Sequence, residues 1–178
     1  MSKYIMLVRG INVGGKNSLP MKSLKSILEN QGCSNIKTYI QSGNVVFEHK
    51  GLAKDFKQAV AEFIKRNHGF SPEMIIMSAD KFKNTVRSNP FPSAESAPKT
   101  LHFFFLESIP EKADLTRLMA LKANSESFQL INDVFYLYAP EGIGRSKLAA
   151  KVEKCVDVPA TARNWNTVEK LLNMVEEG

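Results

Sequence analysis

The sequence predicts an α+β protein built from two tandem ferredoxin-like (βαββαβ) units, each with an antiparallel sheet, followed by a C-terminal helix. Three observations predict it. The order strand, helix, hairpin, helix, strand can be read twice along the chain. A Pro- and Ser-rich stretch without periodicity, "SNPFPSAESAPK", separates the two readings. A last amphipathic segment remains after the second. A chain of 178 residues that is 43% hydrophobic is long enough to bury a real core. The expected division is a first unit with a short trailing helix over residues 1–88, a linker over 89–99, and a second unit with the final helix over 100–178.

The elements follow from local patterns. Lys3 to Val8 is an apolar run and reads as a buried strand. Pro20 to Gln31 places Leu24, Ile27 and Leu28 on one helical face, with Pro20 suited to a first turn and Gly32 to a C-terminal cap. Ile36 to Gln41 and Asn44 to Glu48 read as a hairpin about Ser42-Gly43. Leu52, Phe56, Val60, Phe63 and Ile64 give a second helix that Gly69 ends, and Met74 to Met77 closes the unit before a short helix from about Ala79 to Ser88. In the second unit, Leu101 to Leu106 is a strand, and Ser108 with Glu111 makes a capping box for a helix carrying Leu115, Leu118 and Met119. Phe128 to Ile131 and Val134 to Ala139 pair about Asn132-Asp133. A helix from about Ser146 to Val156 and a short strand at Ala160 to Ala162 complete it, and Asn166 with Glu169 caps the final helix. "LHFFFLE" is apolar on both of its alternating sets, so this strand is expected to be covered on both faces, by the first unit or by the final helix.

Composition narrows the function classes. Cys33 and Cys155 lie in different halves with no C-x-x-C, and no histidine stands at zinc-ligand spacing from either, so free thiols in a reducing compartment are expected and no metal site. The apolar run at the N-terminus is too short for a signal-peptide core or a membrane span, which makes the cytoplasm the expected location and leaves no membrane partner. The formal charge is +6, and all of that excess lies in residues 1–78, which hold 11 Lys/Arg against 5 Asp/Glu. Such asymmetry marks an anion or nucleic-acid face, although Lys54, Lys57 and Lys65 also fit the solvated side of a helix.

The stretch "RGINVGGKN", Arg9 to Asn17, carries most of the phosphate-loop template G-x-x-x-x-G-K-[ST] between a strand and a helix. It departs from that template where chemistry is most demanding. Asn17 stands where a hydroxyl would hold magnesium, and Pro20 starts the helix several residues too late for its amides to meet a phosphate. The hairpin after the helix is antiparallel where a P-loop enzyme continues with parallel crossovers. An anion-binding loop or a structural turn remains.

"RGINVGGKNSLPM", "YIQSGNVVF" and "ARNWNTVEKL" together resemble the domain-of-unknown-function 1697 family of bacterial proteins, in order and over nearly the whole chain. The resemblance implies an α+β fold of two ferredoxin-like halves in a stand-alone cytosolic protein. It supplies no reaction and no catalytic residue. Its matched polar positions here are Arg9, Asn12, Lys16, Gln41, Ser42, Asn44, Arg163, Asn164 and Asn166.

Those positions share a chemistry. Arg and Lys bring positive charge, Asn and Gln bring amide donors and acceptors, and Gly10, Gly14, Gly15 and Gly43 let a ligand approach the backbone. They suit an oxyanion or a nucleobase edge; with no Asp, Glu, His or Cys among them they offer no general base or nucleophile. Structural roles compete: Asn44 for the hairpin turn, Asn166 for a helix cap, Gln41 for a cross-strand bond. "GIGRSK" adds Arg145 beside a helix start as a second candidate anion site. His49, His68 and His102 read as surface or packing residues, and the Phe-rich strands lack an RNA-recognition pattern. The expected function is binding of a phosphorylated or other anionic ligand by the glycine-rich loop and the "RNWNT" segment, with no cofactor. The alternatives are nucleic-acid binding by the basic first half, or an enzyme acting on a phosphorylated metabolite.

Overall fold

The computed structural model describes residues 1–177. They form two four-stranded antiparallel sheets with helices, an α+β protein in which each sheet has the strand order of the ferredoxin-like arrangement. Two compact units result. One is Met1–Asn84 with the chain from Lys170 on; the other is Thr85–Glu169.

The first unit contains β1 (Ser2–Val8), α1 (Met21–Asn30), β2 (Ser34–Tyr39), β3 (Asn44–His49), α2 (Phe56–His68) and β4 (Met74–Ser78), and α3 (Ala79–Arg87) begins in it. The sheet order is β2-β3-β1-β4. On one face Met6, Val8, Val45, Phe47 and Met74 pack with Leu24, Ile27 and Leu28 of α1 and Phe56, Val60 and Ile64 of α2. Ile5, Leu7 and Val46, which alternate onto the opposite face, are buried too. Lys3 Nζ donates to the Val175 carbonyl at 2.8 Å, which ties β1 to the C-terminal end of the chain.

α1 ends as its glycine predicts. Gly32 adopts φ 83°, its N–H reaches Glu29 O at 3.0 Å, and Cys33 N–H reaches Leu28 O at 3.0 Å, a pair of bonds that satisfies the last carbonyls of the helix. Gly69 closes α2 in the same left-handed conformation. The hairpin differs from expectation: β2 stops at Tyr39, so the connection spans four residues, Ile40 to Gly43, with Tyr39 opposite Asn44. Gly43 at φ 80° and the fully buried Asn44 draw the chain inward there and shorten the strand.

The second unit contains β5 (Leu101–Leu106), α4 (Leu115–Leu121), β6 (Ser127–Ile131), β7 (Val134–Tyr138), α5 (Val152–Val156) and β8 (Ala160–Asn164), and α6 (Trp165–Glu176) starts in it. The order β6-β7-β5-β8 repeats that of the first sheet. Residues 89–99 carry two short 3-10 turns, Pro92–Ser96 and the start of Pro98–Thr100. β5 is buried along its whole length. Phe104 and Leu106 join Leu118, Leu148 and Val152 on the helix side, while the Phe103 ring meets Tyr136 edge-on at 4.7 Å and Trp165 at 5.8 Å.

Two caps and one helix differ from what the local patterns predict. α4 starts at Leu115, where Asp114 accepts from Arg117 N–H at 2.9 Å, so Ser108 and Glu111 lie outside it. α6 starts at Trp165, one residue before the predicted cap Asn166; Asn164 accepts from Thr167 N–H at 3.2 Å. The segment predicted as one helix over Ser146–Val156 is broken into a 3-10 turn, Ala149–Lys151, and the short α5. Leu148, Val152, Cys155 and Val156 still reach the core.

Candidate functional site

The loop after β1 is closed on itself. Lys16 N–H donates to Val13 O at 3.0 Å around Gly14 (φ 58°) and Gly15 (φ 71°), which gives a two-residue turn with both central residues left-handed. Glycine tolerates that conformation at no steric cost. Asn12 N–H bonds Asn17 O at 3.1 Å, and Asn17 Nδ2 returns to Gly10 O at 3.1 Å. The backbone N–H of Lys16, which a phosphate loop would present to its ligand, is thus committed to the turn, and α1 begins only at Met21.

Asn12 is the clamp of this region. Its Nδ2 donates to Leu19 O at 2.9 Å and to Gln41 O at 2.7 Å, and its Oδ1 accepts from Leu19 N–H at 2.8 Å. One amide thereby joins the β1–α1 loop to the β2–β3 turn. The turn is fixed from inside by Asn44, whose Nδ2 reaches Tyr39 O at 3.1 Å and Ser42 Oγ at 3.0 Å. The structure therefore brings Arg9, Asn12, Gly14, Gly15 and Lys16 together with Gln41, Ser42 and Asn44 at the end of the sheet where β1 stops. Asn12 and Asn44 act as scaffold. Gly14, Gly15, Lys16 and Gln41 are exposed.

Arg9 has a partner that the sequence did not announce. Its guanidinium pairs with the Glu73 carboxylate at 3.0 Å, and its N–H donates to Glu73 O at 2.9 Å. Two apolar residues of the loop pair also escape the sequence patterns: Val13 is 66% exposed, and Ile40 is 52% exposed with φ 49°. Ile40 reads as the end of a strand, and nothing local signals a left-handed β-branched residue.

In the second unit, Asn164 stands opposite His102 and caps α6, while Asn166 is exposed on that helix's first turn. Arg145 is exposed in a 3-10 turn, Ile143–Arg145, and Ser146 Oγ accepts from Ala149 N–H at 2.9 Å. The register places Asn164 at the end of the second sheet where β5 begins and β7 and β8 end. Arg163 lies part-buried in β8, donates to Ala162 O at 2.9 Å, and burial pushes its guanidinium down to about 10, still charged at neutral pH. His102 is buried, its Nδ1 lacks a hydrogen-bond partner, and desolvation lowers it to about 4, so the ring is neutral at pH 7.

A separate cleft of about 730 Å³ in the first unit shares no residue with the loop pair. Its walls include Lys3, Lys37, Glu48 and Cys33. Lys3 is engaged by Val175 O, Glu48 receives Asn35 Nδ2 at 2.8 Å, and burial pushes the Cys33 thiol up to about 11, which removes thiolate chemistry at neutral pH. Among the described residues, no group of three or more His, Cys, Asp or Glu could hold a metal ion, and no helix is long and apolar enough to cross a membrane.

With this geometry in view, comparison with known proteins places the chain. Residues 1–136 match a family model described as "Protein of unknown function (DUF1697)". The chain belongs to the DUF1697 family. The matched span contains both loops of the clamped pair, whereas Arg145 and the Arg163–Asn166 stretch lie beyond it. Comparison with curated proteins finds no match. Among solved structures, this DUF1697 chain is similar to a conserved bacterial protein from Streptococcus pneumoniae, with a TM-score of 0.71 and 24% identity over 98% of each chain. That likeness shows the same fold.

Proposed function

We propose that this DUF1697 protein binds a phosphorylated or similarly anionic ligand at the clamped loop pair of its first unit. The observation that carries the reading is the contrast between a rigid base and an open tip. Asn12 makes two side-chain bonds to Leu19 that brace its own loop and one to Gln41 O that ties it to the other, while Gly14, Gly15 and Lys16 stand exposed with no atom within 4 Å of where a Cβ on either glycine would sit. A ligand can approach such a backbone closely, and Lys16 supplies the charge. The glycine-rich loop carries no Asp, Glu, His or Cys, and the carboxylate beside it, Glu73, is held in an ion pair with Arg9, so binding is favoured over turnover. The buried thiols Cys33 and Cys155 suit a cytoplasmic protein.

Thermal unfolding of wild type and Lys16→Ala against nucleotides, sugar phosphates, inorganic anions and short oligonucleotides tests the proposal. A ligand at about 100 times its dissociation constant adds about 2.7 kcal/mol to the native state. Stabilisation of wild type that Lys16→Ala loses supports the site; identical shifts in both proteins place the ligand elsewhere. An oligonucleotide shift that collapses between low and moderate salt would instead favour nucleic-acid binding by the basic first half.

A further inference from the structure

We infer that the anion bound at the loop pair is a nucleotide, with its base held on the Val13 and Ile40 side chains and its phosphate at Lys16. The inference rests on the reading above and goes further by naming the ligand class. Single exposed apolar residues are ordinary on a protein surface. These two differ from ordinary ones in three respects.

They sit on two loops that one amide ties together. Val13 follows Asn12 and Ile40 precedes Gln41, and the Asn12 side chain donates to the Gln41 carbonyl at 2.7 Å. Val13 opens the exposed turn that ends in Lys16 and pairs with that lysine, so apolar surface and positive charge adjoin there, and Ile40 stands next to the residue that ties the second loop to it. Finally, Ile40 holds φ 49°, a left-handed conformation that is a true outlier for a β-branched residue, and it is 52% exposed there. Asn or Gly would occupy that backbone without strain, so half-burial alone gives little reason for isoleucine. Strain of this kind concentrates at ligand sites, where the side chain is needed for contact.

The chemistry of the platform matches the parts of a nucleotide. A base has an apolar face that a branched alkyl pair can cover and a polar edge that the exposed Gln41 amide can read as both donor and acceptor. Its phosphate needs a cation and close access to backbone, which Lys16 and the Gly14-Gly15 turn offer. A sugar phosphate would use only the second half of this surface.

Calorimetric titration of the full chain with adenosine and uridine monophosphates, ribose phosphate and inorganic phosphate tests the inference. Wild type is expected to bind at least one nucleotide about tenfold or more tightly than ribose phosphate. Ile40→Asn is expected to unfold at or above the wild-type temperature, to bind ribose phosphate unchanged, and to lose about tenfold for the nucleotide. Val13→Ser, at a position 66% exposed, gives a second variant whose folding is not at issue. Lys16→Ala should weaken both ligands. Equal affinity of wild type for nucleotide and ribose phosphate, or unchanged nucleotide binding in Ile40→Asn and Val13→Ser, overturns the nucleotide assignment and leaves the anion site standing. Absence of binding by every ligand overturns both.

Discussion

Val8 and Gly43 are in closest approach: the Val8 N–H donates to Gly43 O at 2.8 Å, and a Cβ on Gly43 would lie 2.6 Å from Val8 Cβ and 2.9 Å from Ile11 Cδ1. Both obstacles belong to buried side chains, and Gly43 also holds φ 80°. Gly43→Ala is therefore expected to destabilise the protein by about 2–4 kcal/mol, from overpacking and left-handed strain together. Urea unfolding measures it, and a loss under about 0.5 kcal/mol would mean that the β2–β3 turn does not hold this geometry in solution.

Asn12 makes its three bonds through both ends of one amide, so a truncating and a charge-changing variant test it in different ways. Asn12→Ala removes all three and is expected to cost about 2–3 kcal/mol. Asn12→Asp keeps the acceptor for Leu19 N–H but turns a carboxylate oxygen toward the carbonyls of Leu19 and Gln41, and should cost at least as much at neutral pH. If Asn12→Asp is as stable as wild type, the clamp assigned here does not form.

Helix α6 offers a direct comparison of neighbours. Asn164→Ala removes the acceptor for Thr167 N–H and should cost about 1 kcal/mol, whereas Asn166→Ala, on an exposed first-turn position, should stay within about 0.5 kcal/mol. The reverse order of effects in thermal denaturation would restore Asn166 as the cap.

His102 makes stability depend on pH in a defined direction. Its pKa falls from 6.5 in the unfolded chain to about 4 in the fold because burial disfavours the imidazolium. Between those values the unfolded state binds more protons, so stability is complete above about pH 6.5 and declines as the pH drops toward 4. The loss is on the order of 3 kcal/mol. His102→Leu should flatten the acid limb of a stability profile in that window; an unaltered limb would show that other groups set it.

The order of elements was legible because it rests on local periodicity. Leu24, Ile27 and Leu28 mark a helix face, Gly32 and Gly69 mark helix ends, and "LHFFFLE" announces a strand covered on both faces, as the fully buried β5 is. The caps were misread for the opposite reason. Ser108 with Glu111 and Asn166 with Glu169 fit a short pattern, but tertiary contacts choose the helix start: Trp165 packs against Phe103, and the turn is drawn back to Asn164.

The candidate site was legible in kind and not in detail. Glycines beside a lysine reveal an open turn from the sequence alone. The partners of Arg9 and Asn12 do not appear there, because Glu73 is 64 residues from Arg9 and Gln41 is 29 from Asn12, and no spacing rule links them. The left-handed Ile40 is hidden in the same way. Its conformation follows from where Asn44 and Gly43 pull the turn, not from its own preference.

The first unit is discontinuous in sequence, since the chain from Lys170 on joins Met1–Asn84. On a ribosome, where the N-terminal unit usually folds first, this unit cannot be completed until the C-terminal helix has been made. The first sheet can pair early, but the Lys3 bond to Val175 must wait until the last turns of α6 have been made. Thr85–Glu169 is continuous in sequence, whereas the first unit is completed only when the segment from Lys170 on has joined it.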